Sequence, residues 1–148
     1  MGRRLRVLPS NKLIHATNKC ADSQFILAPN PDACVIHEFH EILKTAKHRY
    51  DVFIYCVILM SNHIHILFKA PNGNGSNFMG HIQSQLAKRI NKRRNRKSSV
   101  FPNRFEHTIV GNTPESHLTC LTYIILNGVK ARLVDHPDDW PGYLSHAS

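Results

Sequence analysis

The sequence contains no Cys-x-x-Cys pair; its four cysteines, Cys20, Cys34, Cys56 and Cys120, are scattered singly. That spacing suits neither a zinc ribbon nor a disulfide framework, and reduced thiols in a cytosolic protein are the simplest expectation. Long apolar runs are missing as well. The longest, residues 54–60, falls far short of the ~20 residues that a membrane-spanning helix needs. Residues 1–10 hold three arginines with no apolar stretch behind them, so no signal peptide is read there, and no lipidation motif is evident. Acid is scarce: Asp and Glu total 10 against 19 Lys and Arg, a formal net charge of +9. Such an excess favours a polyanionic partner, and with no amphipathic anchor in sight that partner is expected to be nucleic acid rather than a membrane surface.

What is present suits one packed domain. Over 148 residues, 42% of positions are apolar, enough for a single core spanning residues 1–148, with no internal repeat and no boundary. Residues 12–17 read as a short strand with Leu13 and His15 on one face. Pro31-Asp32 opens a helical pattern carried by Val35, Ile36, Phe39, Ile42, Leu43 and Ala46, ending near residues 48–50. Residues 51–59 and 63–69 read as a strand hairpin turning at Ser61-Asn62. Phe78, Ile82, Leu86 and Ile90 mark a second amphipathic helix capped near Asn77. A short strand at residues 107–110 and a third helix from Pro114 to about Lys130 follow, and the tail from residue 135 reads as irregular. The order strand, helix, strand, strand, helix, strand, helix predicts an α+β layer with a mainly antiparallel, ferredoxin-like sheet.

Side chains alternate along a strand, so His63 and His65 share one face while Ile64 and Ile66 share the other. Their Cα atoms should lie roughly 6.5–7 Å apart, close enough for both rings to reach one divalent cation. The competing reading is a pair of hydrogen-bonded histidines on a half-exposed sheet, which a chain with 11 histidines can produce by chance.

On the third helix, Leu118, Leu121, Ile125 and Val129 form one apolar stripe, and Tyr123 with Asn127 lies on the opposite half, one turn apart. A tyrosine hydroxyl is a weak nucleophile, and a phosphodiester resists attack because it is anionic. A cation bound by two histidines and an amide or carboxylate oxygen can offset that charge. In-line attack by the tyrosine would then give a phosphotyrosine and a free 3′-hydroxyl.

These residues carry a family resemblance. The segment Leu59-Met60-Ser61-Asn62-His63-Ile64-His65-Ile66-Leu67 resembles the His-hydrophobic-His signature of the Y1 (HUH) transposases, IS200-like, and is most similar to the REP-associated tyrosine transposases. The run from Tyr123 through Asn127 and Gly128 to Val134 resembles that group's second signature, and Asn103-Arg104-Phe105 and Trp140-Pro141-Gly142-Tyr143 are similar too. The resemblance covers the chain from about residue 8 to its end. It implies a ferredoxin-like domain that nicks and rejoins single-stranded, hairpin-bearing DNA. His63, His65 and Asn127 would be the ligands of Mg²⁺ or Mn²⁺, and Tyr123 the nucleophile that retains the 5′-phosphate. The protein would act as a monomer or a homodimer, in the cytoplasm. Ser61 and Gly128 stand where the family usually has proline, and Ala131-Arg132 where it has Ala-Gly; Gly128 is expected to loosen the helix end beside Asn127. The loop after the first strand, Asn18-Lys19-Cys20-Ala21, lacks the family's glycine.

Seven basic residues crowd one stretch: Lys88, Arg89, Lys92, Arg93, Arg94, Arg96 and Lys97. Cations favour a helix C-terminus, which accounts for one or two of them but not seven without an acid. They are expected to contact phosphates and to position a strand rather than read its bases. Arg3, Arg4 and Arg6 form a possible second arm, and Arg104 is expected to face the site. Two other functions remain open at this point. One is a nucleic-acid-binding protein that recognises hairpin DNA with weakened or lost catalysis; the other is a metal-dependent nuclease in which water attacks.

Overall fold

The computed structural model describes residue 4, residues 6–28 and residues 34–145. Strand-forming runs of β-branched and aromatic residues give β1 (Leu13–Lys19), β2 (Phe53–Leu59) and β3 (His63–Lys69), which make the middle of one sheet. The short strands β4 (Glu106–Ile109) and β5 (Tyr143–Ser145) close its two edges. Among the described residues the order is β4-β1-β3-β2-β5, with every pairing antiparallel. The first four strands have the ferredoxin-like order expected from the sequence, and β5 extends it beyond β2. The tail is therefore not irregular: Tyr143 pairs with Ile58 and Leu144 with Val57. Three strand residues between turns gave too short a pattern to register as a strand.

Helices α1 (Cys34–Tyr50) and α2 (Gly75–Arg93) cover one face of the sheet. The opening of α1 at Pro31-Asp32 falls outside the described residues. Phe39 and Ile42 from α1, with Phe78, Ile82 and Leu86 from α2, pack on Ile14, Ala16, Ile64, Ile66 and Phe68 of the strands to form the main core. Helix α2 begins two residues before the expected Asn77 cap. Asn74 precedes its first turn, and the Asn74 side chain donates instead to the Tyr50 carbonyl at 2.9 Å, tying the two helices together.

Helix α3 (Pro114–Ile125) lies on the other face. Pro114 is preset for the first turn, and the Thr113 hydroxyl accepts the Ser116 N–H at 3.1 Å, so its start is well specified. The helix does not run unbroken to Lys130. It stops at Leu126 and resumes as the single turn α4 (Asn127–Lys130). The expected stripe is also rotated. Leu121 and Ile125 of that stripe do pack against the small second core, but Leu118 is 66% exposed. Ile124 is the fully buried residue of α3, set in that core with Leu13, Ile58, Met60, Leu67 and Trp140. The rotation places Tyr123 at the flank of that core rather than on the opposite side of the helix.

Two glycines hold the tail against this face. A Cβ at Gly142 would sit 2.1 Å from the Leu59 carbonyl oxygen, so no other residue fits where Gly142 and Leu59 pair. Trp140 Nε1 donates to that same oxygen at 2.8 Å while its ring lies over Gly128, where a Cβ would come within 3.2 Å of Trp140 Cβ. Gly128 thus permits close packing under Trp140. Arg132, where the family has glycine, closes α4 with φ at 58°, a left-handed conformation that costs a non-glycine residue about 1 kcal/mol.

Candidate active site

The alternation of β3 sets Ile64 and Ile66 into the main core and turns His63 and His65 to the α3 face, as the period of two requires. Their rings meet edge to face with centroids 5.0 Å apart. Asn62, in the turn before β3, touches the Nδ1 of His63 with its Oδ1 at 2.7 Å. An amide oxygen only accepts, so His63 carries its proton on Nδ1 and keeps the Nε2 lone pair free.

His15 also lies on this face. In the register of β1 with β3 it pairs with Leu67 while Thr17 pairs with His65, so His15 and His65 are diagonal neighbours. Their rings stack at 5.1 Å and 23°, and His15 Nε2 lies 2.8 Å from His65 Nδ1. The sequence placed His15 on a strand face, and the expected ferredoxin-like order sets β1 beside β3, but the register that makes His15 and His65 neighbours was not in it.

Tyr123, 48% exposed, stands over this cluster. Its ring meets those of His65 and His15 edge-on at centroid distances of 5.9 and 6.0 Å, and Lys130 Nζ sits 5.1 Å from its centroid. Asn127 Nδ2 donates to the carbonyls of Tyr123 and Ile124 at 3.0 and 3.2 Å. Both acceptors are oxygens, so the amide nitrogen is fixed on the helix and Oδ1 is left as an acceptor beside His63; it bonds the protonated form of that ring, which is why it works to raise the His63 pKa.

Burial lowers the pKa of all three histidines. His65 is pushed down to about 3, by burial first and then by His63 and His15. His63 is lowered by burial, with the hydrogen bond to Asn127 working in the other direction and Lys19 adding to the fall. His15 is lowered by burial alone. All three rings are therefore neutral near neutral pH, the state in which imidazole offers a lone pair to a metal. Among the described residues no group of three or more His, Cys, Asp or Glu side chains forms a metal site. The donors available on this face are two neutral imidazoles and the amide oxygen of Asn127. Mixed nitrogen and oxygen donors of this kind fit a divalent cation that retains open positions.

A groove of about 550 Å³ opens beside this cluster, with His15, Tyr123, Ile109, Thr119, Cys120 and the acidic Glu115 among the residues that line it. The basic residues lie elsewhere. Lys88, Arg89, Lys92 and Arg93 end α2, in the layer behind the sheet. Arg93 is paired with Glu38 of α1 at 2.8 Å. Arg94 and Arg96 lie near enough to Cys20 to act on its thiol, and Cys20 N donates to the Asn62 carbonyl, so this connection reaches the end of the sheet where His63 begins. Lys97 is exposed in the same connection. Arg104 does not turn to the histidines: Nη2 donates to the Arg4 carbonyl at 2.8 Å. Arg6 lies over the Phe105 ring at 5.3 Å and donates to the Phe105 carbonyl, so it is a staple and not a free arm. Arg3 lies outside the described residues.

No helix among the described residues is long and apolar enough to cross a membrane. No curated protein matches the chain in sequence. Solved structures do match in fold. A REP-associated tyrosine transposase bound to a REP hairpin superposes with a TM-score of 0.75 at 16% identity, over 97% of this chain and 81% of that one. A protein from Deinococcus radiodurans, described provisionally as a transposase, gives 0.51 at 9% identity, over 82% and 96% of the two chains. The sequence model of the family described as IS200-like transposases matches residues 31–125, more than half the chain and the stretch that holds His63, His65 and Tyr123. The chain is a member of the IS200-like transposase family.

Proposed function

We propose that this transposase nicks and rejoins single-stranded, hairpin-bearing DNA through a 5′-phosphotyrosine link to Tyr123. The observation that carries this reading is the approach of the Tyr123 ring to His65 and His15 within one chain, at 5.9 and 6.0 Å. The tyrosine is exposed, as a nucleophile facing a macromolecular substrate must be, and the adjacent groove gives a flexible strand a path to it. Attack by Tyr123 Oη on the scissile phosphorus forms the Tyr–O–P bond and breaks the P–O3′ bond. The phenolic proton is lost and the leaving 3′ oxygen gains one; rejoining reverses both changes. A strand kept on the protein in this way can be rejoined without an external energy source. Use of a chain's own tyrosine fits a monomer or a homodimer.

His63 and His65, with Asn127, are the residues that would hold Mg²⁺ or Mn²⁺, and the cation would offset charge on the scissile phosphate. The protein's share is orientation. Asn62 fixes the His63 ring, and the back-bonded amide of Asn127 fixes its oxygen. Lys130 Nζ stands 5.1 Å over the Tyr123 ring, a cation beside the proposed nucleophile. The weakened-catalysis alternative drew its motive from the departures near Asn127, and the packing of Gly128 under Trp140 gives one of them a structural role.

Lys88, Arg89, Lys92, Arg94 and Lys97 would contact phosphates of the flanking DNA, with Arg93, Arg96 and Arg104 engaged on the protein itself. Replacing Lys88, Lys92 or Lys97 by Gln should then lower the slope of log K against log salt by about 0.7–0.9 each, read by fluorescence anisotropy. The reading itself is tested with a labelled hairpin single strand and Mn²⁺. Cleavage that needs the cation, spares duplex DNA and leaves a free 3′-hydroxyl supports it. Cleavage that persists in EDTA, or binding without any cleavage, contradicts it.

A further inference from the structure

His63 and His65 are both anchored through Nδ1, but by different partners. For His63 the partner is Asn62 Oδ1 at 2.7 Å, which fixes the proton on Nδ1 by chemistry alone. For His65 the partner is His15 Nε2 at 2.8 Å, and two imidazoles can share a proton either way. The direction decides whether His65 can bind a cation. If His65 donates, its Nε2 keeps a lone pair; if it accepts, its Nε2 carries the proton and is closed to a metal.

We infer that His15 is a positioning residue: its Nε2 accepts the Nδ1–H of His65 and so commits the Nε2 lone pair of His65 to the cation. The inference rests on the proposed cation ligands of this site. Geometry supports it from three sides. The diagonal register between β1 and β3 is fixed by the central pairing of the sheet, so His15 cannot drift from His65. The rings stack at 23° with centroids 5.1 Å apart, which holds the plane of the 95%-buried His65 ring as well as its proton. His15 itself is half-buried and lines the open groove, so water can meet its own Nδ1–H. The two ligands are thus oriented by one side chain each, an amide from the turn for His63 and an imidazole from the neighbouring strand for His65. Such outer partners commonly change metal affinity by about 10–100-fold when removed.

Imidazole ¹H–¹⁵N correlation spectra of the metal-free protein test the tautomer without any substitution. The expected result is His65 protonated at Nδ1, with the proton moving to Nε2 in His15→Phe. His65 protonated at Nε2 in the wild type, or unchanged in His15→Phe, overturns the inference. Mn²⁺ binding, followed by electron paramagnetic resonance on the DNA-free protein, gives the second arm. His15→Phe should weaken Mn²⁺ by about 10–100-fold, and His15→Gln, which restores an acceptor, should recover affinity to within about threefold of wild type. Unchanged affinity in His15→Phe, or no recovery with Gln, contradicts the role. Complete loss in His15→Phe, equal to that in His63→Ala, would make His15 a ligand and not a positioning residue. Wild type that binds no Mn²⁺, or binds it equally with His63→Ala, would refute the cation site itself, while the metal-free spectra still decide the His15–His65 bond.

Discussion

On the face covered by α1 and α2 the sheet presents Ile14, Ile64, Ile66 and Phe68, none with exposed surface. On the face under α3, the same strands present His15, His63 and His65 beside Leu13, Ile58 and Leu67. The first face gives every inward position to apolar packing, and it carries the stability of the fold. The second gives central positions to three neutral polar rings and retains only a small core. Helix α3, which brings Tyr123, is held there by Ile124 and by the Trp140–Gly142 strap. On the proposed function, chemistry and stability are separated across the two faces of one sheet, and substitutions on the two faces should fail in different ways.

The sharpest form of that comparison is a pair of substitutions. Tyr123→Phe should lower strand cleavage by about 10⁴-fold or more while leaving unfolding free energy within about 0.5 kcal/mol of wild type. Phe39→Ala should do the reverse. It should cost about 3–5 kcal/mol in urea unfolding, yet leave cleavage per folded molecule near wild type. Should Phe39→Ala inactivate the folded fraction, the two faces are not separable. Ile124→Ala belongs between them: a loss of about 2–4 kcal/mol is expected, accompanied by slower cleavage because the tyrosine helix loses its anchor.

Acid provides a third contrast. His65 is held at about 3 against an ordinary 6.5, by burial, then His63, then His15, and His63 and His15 are lowered too. Between those values the unfolded chain binds protons that the folded chain does not. Stability from this face is therefore fully present above pH 6.5 and is lost as pH falls toward 3. His65 contributes a limiting slope of about 1.4 kcal/mol per pH unit between those values, and His65→Gln should flatten the measured dependence. A dependence unchanged by His65→Gln would place the acid sensitivity elsewhere.

The smallest effect concerns the end of the tyrosine segment. Arg132→Gly relieves a positive φ of 58° and should raise stability by about 1 kcal/mol with no change in cleavage, read from thermal melts and the nicking assay.

The periodicities made the main face readable from the sequence. Phe78, Ile82, Leu86 and Ile90 specify α2, and the alternation at residues 63–66 sends the isoleucines in and the histidines out. The site was legible where a single element carried it: the His63 and His65 pair on one strand, and Tyr123 with Asn127 one turn apart. It was not legible where two elements meet. His15 joins His65 only through the register of β1 on β3, which the expected strand order does not specify, a contact across fifty positions of sequence. The stripe on α3 misled because Leu118 is apolar yet exposed, and the helix takes its rotation from the burial of Ile124 and from the tail that packs beside it. The tail strand was missed because the close approach of Gly142 to Leu59 sets its course, and three residues carry too little pattern to announce it.

Peptide mapping of the protein by mass spectrometry, after reaction with a hairpin-bearing single strand and Mn²⁺, tests the central claim most directly. The account predicts one oligonucleotide joined through its 5′-phosphate to Tyr123, in a yield that falls to background in Tyr123→Phe. Cleavage with no protein-linked product, or an adduct on Tyr50, Tyr55 or Tyr143 in place of Tyr123, would contradict it.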